Sequence, residues 1–196
     1  NSARILNRPD ERNKMVENSN QETDILRTSS VAHSSGVNGT EQSLSTEVIQ
    51  DTHAFDKIRE EWLDLIERTH AHIFQTYEWQ RLWWEHFGRH RSLHIILFRH
   101  EGVLVGIAPF FVGTSRFFGL TISRNLCLLG SDIRHPESDG VFDEYSPSDY
   151  LDLIVLPGFE KCVTSMLLKY LSEHGNIYDK IVLEEVPEDS ILMKGL

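Results

Sequence analysis

Positive charge is in short supply. The chain has 196 residues, with 19 Lys and Arg against 30 Asp and Glu, a net charge of −11. A chain this acidic is a poor partner for nucleic acid or for an anionic membrane surface. Cysteine is scarcer still. Cys127 and Cys162 are the only two, and they form no CxxC pair. That argues against a disulfide framework or a thiolate zinc site and predicts a reduced, cytoplasmic setting. No apolar run approaches the roughly 18–20 residues needed to cross a bilayer. The opening "NSARILNRPD" lacks the apolar centre of a signal peptide. Neither a Gly-x-Ser-x-Gly elbow nor a phosphate-binding P-loop is present.

Aromatic residues are absent from the first 46 positions, and all 19 of them lie from Phe55 onward. The early stretch is Ser, Asn, Thr, Gln and Gly, a composition that buries too little apolar surface to offset the entropy of ordering. Residues 1–45 are therefore expected to be a disordered tail. Residues 46–196 are expected to be one α/β lobe.

Within that lobe "TEVIQD" is a short strand. "HAFDKIREEWLDLIERTH" places Phe55, Ile58, Trp62, Leu65 and Ile66 at helical spacing, with Asp51 or Thr52 as its cap. "FQTYEWQRLWWEHFG" holds three tryptophans. It predicts a helix capped at Thr76 and stopped at Gly88, with Trp79, Leu82, Trp83, His86 and Phe87 on one face. Trp79 and Trp83 are expected in the core. Trp84 points about 100° away and is a candidate ligand platform. "LHIILFRHEGVLVGIAPFFV" reads as two strands around a His-Glu-Gly turn, with Pro109 at a bulge or strand end. "NLCLLGS" is a strand, "DIRHPESDGVFDEYSPS" an acidic loop and "DYLDLIVLPG" a strand. "FEKCVTSMLLKYLSEHG" is a helix and "YDKIVLEEVP" a last strand. The order β-α-α-β-β-(β)-β-α-β predicts a mixed sheet with helices on both faces.

That order, with "FDKIREEWLDL", "FQTYEWQRLWWEHFG", "LHIILFRHEGVLVGIAPFF" and "SDYLDLIVLPG", resembles the GNAT acyltransferase fold. It is most similar to one branch, the two-lobed acetyltransferases linked to cellulose or exopolysaccharide biosynthesis, which are related to the Fem-type aminoacyltransferases. The likeness covers Thr46 to the end and matches the first of the two lobes. It implies an N-acyltransferase using acetyl-CoA or another acyl-CoA as co-substrate, acting on an amino sugar or polysaccharide precursor. In such folds the CoA pyrophosphate rests on a Gly-rich turn between the fourth strand and the central helix, in the pattern Arg/Gln-x-x-Gly-x-Gly/Ala. The equivalent "LPGFEKCVTS" has Gly158 but no glycine pair, and Glu160 puts a carboxylate where phosphate would lie. The expectation is that no cofactor binds this chain alone and that a second lobe of the same protein carries it.

The resemblance also points to Asp149 and Tyr150, and a strand would bring Tyr150 and Asp152 to one face. Together with Trp84 these are the candidate substrate-binding residues, suited to orienting an amine or a sugar hydroxyl. No catalytic residue is assigned. His86, His90 and His94 are four apart, but Gly88 breaks the helix between them, and His70 and His72 sit in a loop, so no metal site is expected. The acidic loop lacks Ca²⁺-ligand spacing. The alternative to an acyltransferase lobe is a non-catalytic module that binds a carbohydrate or a partner protein.

Overall fold

The computed structural model describes residues 4–7, 44–117, 120–131 and 148–195. Its strands are β1 (Arg4–Asn7), β2 (Leu44–Ile49), β3 (Ser92–His100), β4 (Val103–Phe117), β5 (Leu120–Leu128), β6 (Ile154–Val155) and β7 (Lys180–Leu183). The helices are α1 (Thr52–Lys57), α2 (Arg59–Glu67), α3 (Tyr77–Phe87), α4 (Glu160–Glu173) and α5 (Ile191–Gly195). One mixed sheet runs β1-β7-β5-β4-β3-β2, with β6 also on β4. Only β5 and β7 are parallel.

The centre of the sheet is apolar on both faces, as its sequence demands. On β3, Leu93, Ile95 and Leu97 alternate with His94, Ile96 and Phe98, and all six are buried. The odd-numbered set packs with Phe55, Trp62, Leu65 and Trp83 from α1, α2 and α3. The even-numbered set meets Val163, Leu167 and Tyr170 from α4. The hairpin between β3 and β4 turns at Glu101 (φ 50°) and Gly102 (φ 82°), two successive left-handed residues that match the twist of the strands. Asp51 caps α1 by accepting the Ala54 N–H at 2.8 Å. The single helix expected after it is broken at Ile58 into α1 and α2.

Three expectations are revised. Within the supposed tail, Arg4–Asn7 pairs antiparallel with β7, and Leu44 and Ser45 already belong to β2; the rest of that stretch, like the acidic loop up to position 147, lies outside the described residues. Pro109 sits at no bulge. It lies in mid-strand opposite Ile95, and its carbonyl accepts the Leu129 N–H at 2.7 Å on the other edge. A strand residue directs both backbone groups to the same neighbour, so the missing donor costs no β3 bond. Finally, "DYLDLIVLPG" contributes only Ile154 and Val155 to the sheet. β6 runs in the same direction along β4 as β5 does, facing Gly106 and Ile107, whereas β5 faces 110–117. The two lie on one strand line along the same edge of β4.

Gly88 ends α3 in a right-handed conformation (φ −71°). A Cβ there would lie 2.4 Å from the Trp84 carbonyl and 2.7 Å from its ring, so close approach explains the glycine. Trp83 is buried against Phe111 and Phe87. Trp79 is half-buried, edge-on to Phe74 at 5.0 Å. Trp83→Ala is expected to cost about 3–5 kcal/mol, as buried aromatic truncations do, and Trp79→Ala and Trp84→Ala markedly less. Urea unfolding of the three variants checks that ranking.

His94 is buried, with one ring nitrogen 3.0 Å from the Tyr170 hydroxyl. Burial, and secondarily the charge of His174, holds it below the ordinary histidine value of 6.5. Below that value the unfolded chain therefore binds the proton that the folded chain refuses. Stability is full above it, falls as pH drops through it, and levels off once the folded-state value is passed. Urea midpoints between about pH 7.5 and 5 should show that decline, and His94→Gln should flatten it.

Candidate functional site

Open α/β sheets bind ligands beyond the carboxyl ends of their parallel strands. Here those ends belong to β5 and β7, and the edge is built from Leu129–Ser131, Ser148–Asp152 and Glu184–Glu185. The Leu151 N–H bonds the Glu185 carbonyl at 2.9 Å and closes it. The residues on either side of that bond carry backbone strain: Tyr150 has φ 55° and Glu185 φ 57°. Side chains other than glycine avoid that region at a cost of about 1 kcal/mol.

Gln75 organises the segment. It is 4% exposed, in a 3-10 turn over Ile73–Gln75. Its Nε2 donates to the carbonyls of Asp152 (3.2 Å) and Leu153 (3.3 Å), and its Oε1 accepts the His72 N–H at 2.9 Å. Its own carbonyl accepts the indole N–H of the fully buried Trp62 at 3.0 Å. Gln80 works alongside it, donating to the Phe74 and Leu129 carbonyls. These bonds supply partners for backbone left unpaired where the strand line breaks.

Of the four predicted residues, three lie on this edge, with different fates. Tyr150 is 55% exposed. Its ring stacks on that of His72, with centroids 4.9 Å apart and planes 20° from parallel. Asp149, beside it, is exposed. Asp152 does not share a face with Tyr150, because the left-handed turn at Tyr150 removes the strand alternation that would align them. The Asp152 carboxylate turns inward. Its Oδ1 accepts the N–H groups of Leu153 (2.7 Å) and Leu192 (2.9 Å), and its Oδ2 that of Ile191 (2.6 Å). Burial pushes its carboxyl up, while those three N–H groups pull it down. The side chain is committed to capping α5. Trp84 is not part of this edge. Its indole N–H reaches the Thr52 hydroxyl at 3.2 Å and its ring lies against Gly88, among the residues joining α3 to α1.

The pairing of His72 with Tyr150 has no local signal, because the two are distant in the chain. The signal for Gln75 and Gln80 was local: two glutamines inside an otherwise aromatic run. His86 lies on α3, His90 in a left-handed turn and His94 in the core. Among the described residues no group of three or more His, Cys, Asp or Glu is placed to hold a metal ion. Burial pushes the Cys127 thiol up to about 12, which leaves it un-ionised and unreactive. No described helix is long and apolar enough to cross a membrane.

Two further features frame the edge. At the end of the β5–β6 line, Gly158 (φ 94°) leads into α4, and its N–H is taken by Oε2 of Glu160 at 2.9 Å. The Phe159 N–H is bonded back to the Leu156 carbonyl. On α3, Trp79, Leu82, Trp83, His86 and Phe87 line an open apolar pocket of about 210 Å³. Leu82 is 53% exposed there, and the Trp79 N–H is anchored on the Ser148 hydroxyl at 2.9 Å.

Removing the Gln75 amide strands an N–H and two carbonyls at once, so Gln75→Ala should destabilise by about 3 kcal/mol. Tyr150→Gly should do the reverse and stabilise by up to about 1 kcal/mol, since glycine accepts φ 55° without strain. Chemical denaturation measures both, and equal losses would show that the left-handed turn carries no strain. Set against family models, curated proteins and solved structures, the chain matches none.

Proposed function

We infer that the chain is the acceptor-side, GNAT-like lobe of an acyl-CoA-dependent N-acyltransferase, with acetyl-CoA or another acyl-CoA held by a second lobe of the same protein. The observation that carries the reading is the turn into α4. Its position, at the end of a strand line that enters a helix and returns as a parallel strand, is where a GNAT fold receives the pyrophosphate. Here the Gly158 N–H is engaged by the Glu160 carboxylate. A pyrophosphate would have to displace that carboxylate while approaching its charge. The acceptor in this reading is an amino sugar or a polysaccharide precursor, received at the edge that carries Asp149 and Tyr150. A cytoplasmic location accompanies it, supported by two free cysteines.

A second reading, a non-catalytic carbohydrate- or protein-binding module, rests on a different observation: the open aromatic pocket on α3.

Calorimetric titration of the chain with acetyl-CoA separates the two halves of the inference. Binding weaker than about 1 mM, less than roughly 4 kcal/mol, is expected. Saturation at micromolar acetyl-CoA would overturn the assignment of the cofactor to another lobe. A full-length protein that neither binds acyl-CoA nor transfers an acyl group would favour the binding module.

A further inference from the structure

The paired rings of His72 and Tyr150 sit at the surface, yet the backbone that carries each is held in place. An exposed aromatic side chain normally samples several rotamers, and binding must then offset that freedom. Here the His72 N–H is held by Gln75, which also grips the carbonyls of Asp152 and Leu153 on the segment that carries Tyr150. Leu151, the next residue, is 1% exposed and bonded to the Glu185 carbonyl. Tyr150 is thus kept in a backbone state that a tyrosine adopts against its own preference, with its ring near parallel to the imidazole. The result is an exposed tyrosine ring backed by a stacked imidazole, an amphipathic surface whose assembly depends on a buried amide. Nothing in the packing of the two cores requires it.

Such a surface suits a ligand with a flat C–H face and a polar rim, which is the character of a pyranose ring. The charge around it narrows the choice. Asp149 is exposed beside Tyr150, the Glu185 carbonyl is bonded to the next residue, Leu151, and the whole chain carries −11. A phosphorylated sugar or a nucleotide meets like charge there, and an ammonium meets opposite charge. We propose that His72 and Tyr150 form the landing platform for the acceptor, a saccharide bearing a free amino group, and that the platform prefers the free amine over its N-acetylated counterpart. The proposal rests on the acceptor-lobe reading for its place in catalysis, and on the stacked rings for the site itself. His72 is a binding residue in it, and Gln75 a positioning residue.

The test uses the whole chain and three neutral or cationic probes: oligomers of glucosamine, of N-acetylglucosamine and of glucose, each followed by calorimetry and by the ring resonances of His72 and Tyr150. Saturable binding of the glucosamine oligomer is expected, tightest of the three, with both rings perturbed. His72→Ala and Tyr150→Ala should each weaken it at least about tenfold, and Tyr150→Phe should keep most of it. Tyr150→Gly is the decisive variant, because it should lose binding while its melting midpoint stays level or rises. Failure of all three probes to saturate at millimolar concentration overturns the proposal. So does unchanged binding in Tyr150→Gly and His72→Ala. A preference for the N-acetylated probe overturns the charge selection. Micromolar acetyl-CoA binding by this same chain would sink the cofactor-free reading and leave the platform standing, whereas absent saccharide binding with weak acetyl-CoA binding would sink the platform alone.

Discussion

The side-chain amide of Gln75 stands in for a missing piece of β-ladder. Where β5 stops and β6 begins, β4 loses its continuous neighbour, and the backbone at Asp152 and Leu153 would be buried without partners. One glutamine supplies donors to both carbonyls and an acceptor to His72. It also fixes the Trp62 indole through its own carbonyl. The helices α1 to α3, packed around Trp62, are thereby tied to the segment that leads into β6. The segment entering β6, the stacked rings and the cap on α5 all hang from that junction.

Much of the frame was legible in the sequence because local rules decided it. Asp51 caps α1, the Glu101–Gly102 corner turns the β3–β4 hairpin, and the unbroken apolar run of β3 and β4 is buried on both faces. Each of these depends on residues within a few positions of one another. The failures share the opposite property. Among the described strands β1 pairs with β7 alone, at the far end of the chain. Pro109 is tolerated in mid-strand because its missing donor faces away from β3, and that follows only from the topology. The length of β6 is cut short because Tyr150 takes a left-handed turn that no pattern of alternation announces.

The candidate site shows the same division. Asp149 and Tyr150 are at the surface of the edge, whereas Asp152, two residues on, does the work of a helix cap for a segment that composition gave no reason to call helical. Trp84 follows helix geometry away from the Trp83 face, and that direction leads to Thr52, on a neighbouring helix. A residue's type and spacing specify its direction from its own element. What lies in that direction is set by the fold.

The carboxylate of Glu160 on the Gly158 amide is a tethered competitor for any other acceptor of that N–H. Because it is attached two residues away, its effective concentration at the amide lies in the range of millimolar or above and does not change with dilution. Any dissolved anion has to outcompete it at every moment, regardless of how scarce or abundant the protein is. A turn closed in this way needs a higher concentration of phosphate or nucleotide before either can take the amide. At this turn a side chain of the chain itself already occupies the amide that a dissolved anion would need.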